Sequence, residues 1–201
     1  MKLRSLYNCI QNLENQYRQV QNYLEGKKHL ASAVIKVYEK LSSNLLNEVK
    51  KMNKKIDNLL DDNSDVKQDI DNIQTIPGIG KKTAVMLVSL IPDIKLFENA
   101  RQLAAFVGLT PREHQSGSSV KKRARISRMG NAEIRKSLYL PAMSAMQHNV
   151  LIKNFAKKLR SKGKPGKVIV VAIMRKLLHI IFGVIKYKSS FNPNLAIYVN
   201  C

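Results

Sequence analysis

Apolar residues recur at helical spacing from Leu6 to Leu59. Leu6, Ile10, Leu13, Tyr17, Val20 and Leu24 stand 4, 3, 4, 3 and 4 positions apart, which is the a/d seam of a helix that pairs lengthwise with another. Gly26 interrupts it. A second seam then runs through Leu30, Val34, Val37, Leu41, Leu45, Val49, Met52, Ile56 and Leu59. Gln, Asn, Lys and Glu occupy the positions between, and no proline occurs before Pro77. The pattern predicts two long helices. Asp61, Asp62, Asn63 and Ser64 break the second, and Ser64 can cap a short third helix running to about Ile73. Two readings of the seams stand side by side: a coiled-coil arm through which two chains dimerise, and an intramolecular hairpin.

From Ile73 the periodicity shortens. Ile76-Pro77-Gly78-Ile79-Gly80 predicts a tight turn between two helices, with Ala84, Leu87 and Val88 packing the second helix on Ile73 and Ile76. Asn99 followed by Gln102 reads as a capping pair for a helix over 100–107, ended by Gly108-Leu109-Thr110-Pro111. Residues 111–131 are loop-like, with short strand character around Val120 to Ile126 as the one β candidate. Asn131 is expected to cap a helix over 132–148 that Pro141 must kink. A short helix over 151–159, a basic linker over 161–167 and a final apolar helix from Val168 to about Tyr187 follow. The fold class is therefore all-α: a helical arm over 1–72, a compact helical domain over 73–187 and a tail over 188–201.

Val168 to Ile185 is the longest apolar stretch, but Arg175, Lys176 and His179 interrupt it, so it reads as a buried core helix and no membrane partner is expected. The polar N-terminus shows no targeting segment. Cys9 and Cys201 cannot staple a fold or hold zinc, and suit reduced thiols in a cytoplasmic protein.

Charge divides the chain sharply. The formal net charge of the 201 residues is +21; residues 1–72 contribute +2 and residues 73–201 contribute +19. Such an excess implies a polyanionic partner, most often nucleic acid and less often an anionic membrane. Two segments concentrate the candidates. The first is the glycine turn: Gly78 and Gly80 allow close backbone approach, the following helix offers free N–H groups and the positive end of its dipole, and Lys81 and Lys82 stand beside it. This is similar to the helix-hairpin-helix motif of DNA binders that read no sequence. The second is Arg112 to Arg128, where Arg112, Lys121, Lys122, Arg123, Arg125 and Arg128 accompany a single acid, Glu113.

The second segment also holds Ser116, Ser118 and Ser119. A serine beside arginines has the parts for phosphoryl transfer, since guanidinium groups can hold a scissile phosphate; the same residues also suit a flexible loop that only contacts DNA. The acids of the basic half, Asp93, Glu98, Glu113 and Glu133, are scattered, so no metal site is expected in this chain. His29, His114, His148 and His179 are isolated.

In their order these features resemble the C-terminal half of insertion-sequence transposases of the IS one-ten type. The resemblance rests on Ile76-Pro77-Gly78-Ile79-Gly80, Leu103 to Pro111, Gln115-Ser116-Gly117, Ile126-Ser127-Arg128-Met129-Gly130-Asn131 with Ile134 to Leu138, Asn149, Phe155, Lys162 to Pro165 and Ala172 to Leu178, across about residues 70–187. The upstream helices resemble the family's coiled-coil connector. The resemblance implies that Ser116 is the nucleophile, with Ser118 and Ser119 as fallback assignments. It further implies that a RuvC-like domain with an acidic tetrad, the place for a divalent metal, cooperates with this half, and that an RNA from the element guides some members. Met1 falls at or inside the connector, so the acidic domain is expected to be missing and the chain to bind DNA without completing transposition alone. A truncated copy, a separate subunit and an incomplete gene model fit equally. The alternatives from other classes are a non-enzymatic helix-hairpin-helix module dimerised by its arm, and an RNA-binding protein, although no aromatic stacking platform is visible.

Overall fold

The computed structural model describes residues 2–26, 31–112, 115–116, 120–121, 125–126 and 129–196. Backbone contacts divide the chain into two compact units, 1–67 and 68–201.

In the first unit, α1 (Lys2–Glu25) and α2 (Ser32–Asp61) pack on each other as an antiparallel pair, the intramolecular hairpin. The α1 seam behaves as its spacing predicts: Ile10, Val20 and Leu24 are buried, and Leu13 and Tyr17 pack against them. The α2 seam is corrected by one position in its first half. Ile35 and Tyr38, not Val34 and Val37, join the cluster of Val20, Leu24 and Leu45. Ser42, not Leu41, is buried, and its hydroxyl oxygen accepts from Gln21 Nε2 at 2.6 Å. Ile35, Tyr38, Ser42, Leu45 and Val49 keep the 3, 4, 3, 4 spacing. The displaced residues Val34, Val37 and Leu41 stay exposed as a second stripe. Two apolar stripes lie side by side on α2, and spacing alone cannot say which one α1 takes.

Helix α3 (Ser64–Gln74) follows, and the second unit continues through α4 (Lys81–Leu90), a 3₁₀ turn over Ile94–Leu96, α5 (Ala100–Val107), α6 (Ala132–His148), α7 (Val150–Ser161), α8 (Gly166–Lys186) and the short α9 (Pro193–Ala196). Its core is α8, against which α5, α6 and α7 pack. Ile169, Ile173, Leu177, Leu178 and Ile181 of α8 meet an interior built from Leu103 and Val107 of α5, Ile134 and Leu138 of α6 and Ile152 of α7, all at most 2% exposed. Ala104, Ala142, Ala145 and Ala156 are buried as well and let the helix backbones approach. By length and composition α8 could cross a membrane, yet it sits inside this unit as its central helix.

Asparagine side chains start three of these helices. Asn99 Oδ1 accepts from the N–H groups of Arg101 and Gln102, Asn131 Oδ1 from Glu133 and Ile134, and Asn149 Oδ1 from Leu151 and Ile152. The Asn99 cap departs in one detail from a reciprocal capping box. Gln102 Oε1 accepts from Glu98 N–H at 2.9 Å, one residue before the cap. Helix α6 continues through Pro141, which is buried.

Residues 111–126 are not a plain loop. β1 (Pro111–Arg112) pairs antiparallel with β4 (Arg125–Ile126), and β2 (Gln115–Ser116) pairs antiparallel with β3 (Val120–Lys121). The two ladders are nested in chain order, the β2–β3 pair lying between β1 and β4 in sequence, and together they are called the hairpin below. They are the only β structure among the described residues, so the fold is mainly helical, as the periodicity predicts.

Candidate nucleic-acid interface

The glycine turn connects α3 to α4, and its two glycines have different circumstances. Gly78 has φ +101°, and a Cβ there would stand 2.6 Å from Ala145 N and 2.8 Å from Ala145 Cα. The turn is thus pressed onto the backbone of α6, and only glycine fits both demands. Gly80 is the N-cap of α4 with φ −95°; a Cβ there would meet nothing within 4 Å, and no side chain caps the helix. Its neighbours Lys81 and Lys82 are exposed in the first turn, which holds no acid. Cations there oppose the helix dipole, and an anion would relieve both the dipole and the uncapped N–H groups. The tail supports the turn from behind, with Phe191 N–H donating to Thr75 Oγ1 at 2.7 Å and Lys188 Nζ donating to Asp69 Oδ1 at 2.8 Å.

The hairpin is the second element. Pro111 stands opposite Ile126, Arg112 opposite Arg125, Gln115 opposite Lys121 and Ser116 opposite Val120. Ser116 and Val120 are therefore the innermost pair among the described residues. Ser118, Ser119, Lys122, Arg123 and Arg128 lie outside the described residues, as do His29 and His114.

What anchors the hairpin was not singled out from sequence. Helix α5 ends on Gly108 at φ +80°, with Leu109 N–H donating to Ala104 O at 2.8 Å, a left-handed C-terminal cap. Gly130, at φ +102°, lies against it: a Cβ on Gly130 would stand 2.6 Å from Gly108 N and 2.8 Å from Phe106 O. A Cβ on Gly108 would in turn collide with the Met129 carbonyl. Asn131 N–H donates to Phe106 O at 3.2 Å. Arg135 closes the arrangement, its Nη1 donating to Val107 O at 2.8 Å and to Met129 O at 3.4 Å. Two glycines in mutual contact and one guanidinium thus tie the entry of the hairpin to its exit. The sequence signal was present, a glycine just past α5 and another just before the Asn131 cap, but their contact spans 22 residues of chain.

Helix α6 serves both elements. Arg135 near its start holds the hairpin root, and Ala145 near its end receives the glycine turn. Ten residues separate them, about 15 Å along the helix axis. Gly78, Gly80, Lys81 and Lys82 are thus contiguous at one end of α6, and Arg112, Ser116, Lys121 and Arg125 belong to the hairpin rooted at the other. Among the described residues no group of three or more His, Cys, Asp and Glu side chains could hold a metal ion.

One helix, α6, thus mounts both the glycine turn and the basic, serine-bearing hairpin. Comparison with known proteins makes this particular. Residues 70–157 match the model of the IS116/IS110/IS902 transposase family. The chain is 41% identical over 124 residues to the pilin gene-inverting protein of Moraxella lacunata, covering 61% of this chain and 38% of that one. It is 38% identical over 81 residues to the transposase for insertion sequence element IS1111A of Coxiella burnetii, covering 40% and 22%. With a 43.6 kDa protein of insertion element IS110 from Streptomyces coelicolor it shares 25% identity over 114 residues, covering 57% and 28%. Residues 70–157 of this chain thus match a domain of IS110-type transposases. The chain spans well under half the length of each of these relatives.

Proposed function

We propose that the second unit is a DNA-binding recombinase module that acts in DNA transposition, with Ser116 as the nucleophile of strand transfer. The observation that carries this reading is the position of Ser116, in the innermost described pair of a basic hairpin whose two ends are tied by Gly108, Gly130 and Arg135. A nucleophile needs a held position more than a reactive neighbourhood, because orientation supplies much of the rate. Arg112 and Arg125 occupy opposite register positions in the same hairpin. In the reaction the Ser116 oxygen forms an ester with a backbone phosphorus, the bond from that phosphorus to one deoxyribose oxygen breaks, and the released hydroxyl takes the proton. The glycine turn, through Gly80, Lys81 and Lys82, grips the phosphate backbone without reading sequence.

Three partners belong to this proposal. The reaction calls on a carboxylate-bearing domain with its divalent metal, supplied beside this unit. A guide RNA of the element is the second. The third is another copy of this chain, paired along the exposed stripe of Val34, Val37 and Leu41 on α2. The relative at 41% identity is named for inverting a pilin gene, so inversion of a DNA segment is the second reading of the same serine chemistry.

The test is covalent capture. The chain is incubated with an acidic-domain partner and a nicked duplex that traps a protein–DNA ester. A serine adduct mapped to Ser116, absent from Ser116→Ala, is the expected result. An adduct retained by Ser116→Ala, or moved to Ser118 or Ser119, overturns the assignment. Transposed or inverted products from a two-site plasmid separate the two readings of the reaction.

A further inference from the structure

From Ile134 to Cys201 the chain carries thirteen Lys and Arg residues and no Asp or Glu. Seven of the thirteen fall within 153–167: Lys153, Lys157, Lys158 and Arg160 on α7, Lys162 and Lys164 in the connection to α8, and Lys167 in the first turn of α8. All seven are exposed, and among the described residues none is in an ion pair. Neither the glycine turn nor the hairpin contains any of them. Ile152 and Ala156 of α7 are buried and Leu151, Phe155 and Leu159 half-buried, so this helix has one apolar inner face and one outer face whose every charge is positive.

The fold does not account for this concentration. Lys158 and Arg160, in the last turn of α7, suit the negative end of its dipole. Lys153 and Lys157 stand earlier in the helix, and Lys167 stands at the positive end of α8, where no acid offsets it. Lys153 and Lys157 are four positions apart and Lys157 and Arg160 three, spacings at which like charges on a helix repel. Gly163, at φ +66°, belongs to the C-terminal cap of α7, with Lys164 N–H donating to Leu159 O at 3.2 Å. Gly166 has no such reason. It opens α8 without a positive φ, a Cβ there would meet nothing within 4 Å, and the backbone beside the cations is left open to approach. Charge that repels itself and meets no acid within the chain is relieved by an anion from outside.

The chemistry of the stripe selects the anion. From Lys153 to Arg160 it extends about 10 Å along α7, and the connection to α8 prolongs it, so it meets a row of charges rather than one. Six of its seven cations are lysines, which act as point charges without a fixed bidentate geometry. Phe155, half-buried, is the one aromatic residue of 150–168, so the stripe has no exposed platform on which single strands or unpaired bases stack. Telling RNA from DNA calls on groups that bond the 2′-hydroxyl. The neutral polar side chains here are Asn154 and Ser161, and the Ser161 hydroxyl is turned back to donate to Lys158 O at 3.0 Å. We propose that the outer face of α7 and its connection to α8 hold the phosphate backbone of duplex DNA by charge alone, as a surface additional to the glycine turn and the hairpin. The proposal rests on the DNA-binding function given above and adds a second place on the unit where that function is carried.

The full chain is titrated onto labelled duplex DNA of two unrelated sequences across a salt series, read by anisotropy. Lys153→Gln, Lys157→Gln, Lys164→Gln and Lys167→Gln together should lower the slope of log K against log[salt] by about 3 to 4, at about 0.9 for each contact, and equally on both sequences. Arginine at the same four positions should keep the slope. The glutamine variant should melt no earlier than the unaltered chain, because the four side chains are exposed and two of them repel each other. Lys153→Gln with Lys157→Gln, and Lys164→Gln with Lys167→Gln, should each give about half of the fall, and they carry the test if the fourfold variant does not fold. A fall of less than about 2 in the fourfold variant, or of less than about 1 in each pair, overturns the proposal. So does a fall confined to one sequence. So does tighter binding to an RNA duplex of the same sequence, or to phosphatidylglycerol vesicles, that the glutamines abolish, since the stripe would then serve that partner. A slope that survives the glutamines but falls with Lys81→Ala and Lys82→Ala sinks this inference alone. No binding of duplex DNA by the unaltered chain sinks it together with the function on which it rests.

Discussion

The arm and the basic unit solve the problem of holding helices together in opposite ways. In the arm, α1 and α2 meet along one heptad seam, no glycine is pressed against a neighbour, and a second apolar stripe stays uncovered. In the basic unit the backbone approaches itself at Gly78, Gly108 and Gly130, each with positive φ and each where a Cβ would collide. The difference teaches how to read a glycine. Where the chain touches itself, the glycine answers to the fold. At Gly80 and Gly166, φ is not positive and the space above is open, so the reason is to be sought outside the chain. The arm offers a partner a side-chain stripe; the basic unit offers backbone and cations.

The sharpest way to break this contrast is to substitute the two turn glycines in parallel. Gly78→Val places its side chain against the Ala145 backbone in a conformation valine avoids, and should cost about 3 kcal/mol or more, seen as loss of cooperative melting of the basic unit. Gly80→Val should cost only about 1 kcal/mol as a poorer cap, yet weaken DNA binding several-fold by anisotropy. Equal melting of the two variants would erase the distinction. On the arm, Val37→Glu combined with Leu41→Glu should abolish self-association in sedimentation while moving the melting temperature little, since both side chains are already exposed. A lasting oligomer would shift the contact elsewhere.

Acid probes the basic unit next. His179 is held near 4 when folded against 6.5 when unfolded, so the unfolded chain binds more protons between those values. Its contribution is complete above about pH 6.5 and is lost as pH falls toward 4. The unit should therefore melt progressively earlier across that window, and His179→Leu should flatten the profile. The most local expected effect is at the hairpin root. Arg135→Met removes two hydrogen bonds to carbonyls, about 1–2 kcal/mol, and should raise amide exchange at Leu109 and Asn131 first.

Much of this was legible in the sequence because it is local. The helices of the basic unit lie within a few residues of their expected bounds, and Asn99 and Asn131 cap as their positions predict. What was not legible is non-local or too short to carry a period. The β ladders are two residues each, below the length at which alternation registers. The contact of Gly108 with Gly130 joins residues distant in sequence, and the face of α2 that meets α1 depended on a choice between adjacent stripes. Arg135 had no role of its own in the sequence reading, whereas it is a structural tie.

The most direct test of the central claim is duplex-DNA binding by the full chain, measured by fluorescence anisotropy across a salt series. The account predicts that log K falls against log[salt] with a slope of several units, about 0.9 for each phosphate contact. It also predicts that replacing Lys81 and Lys82 with alanine lowers that slope by about 2. A flat slope, or binding indifferent to the loss of both lysines, would contradict it.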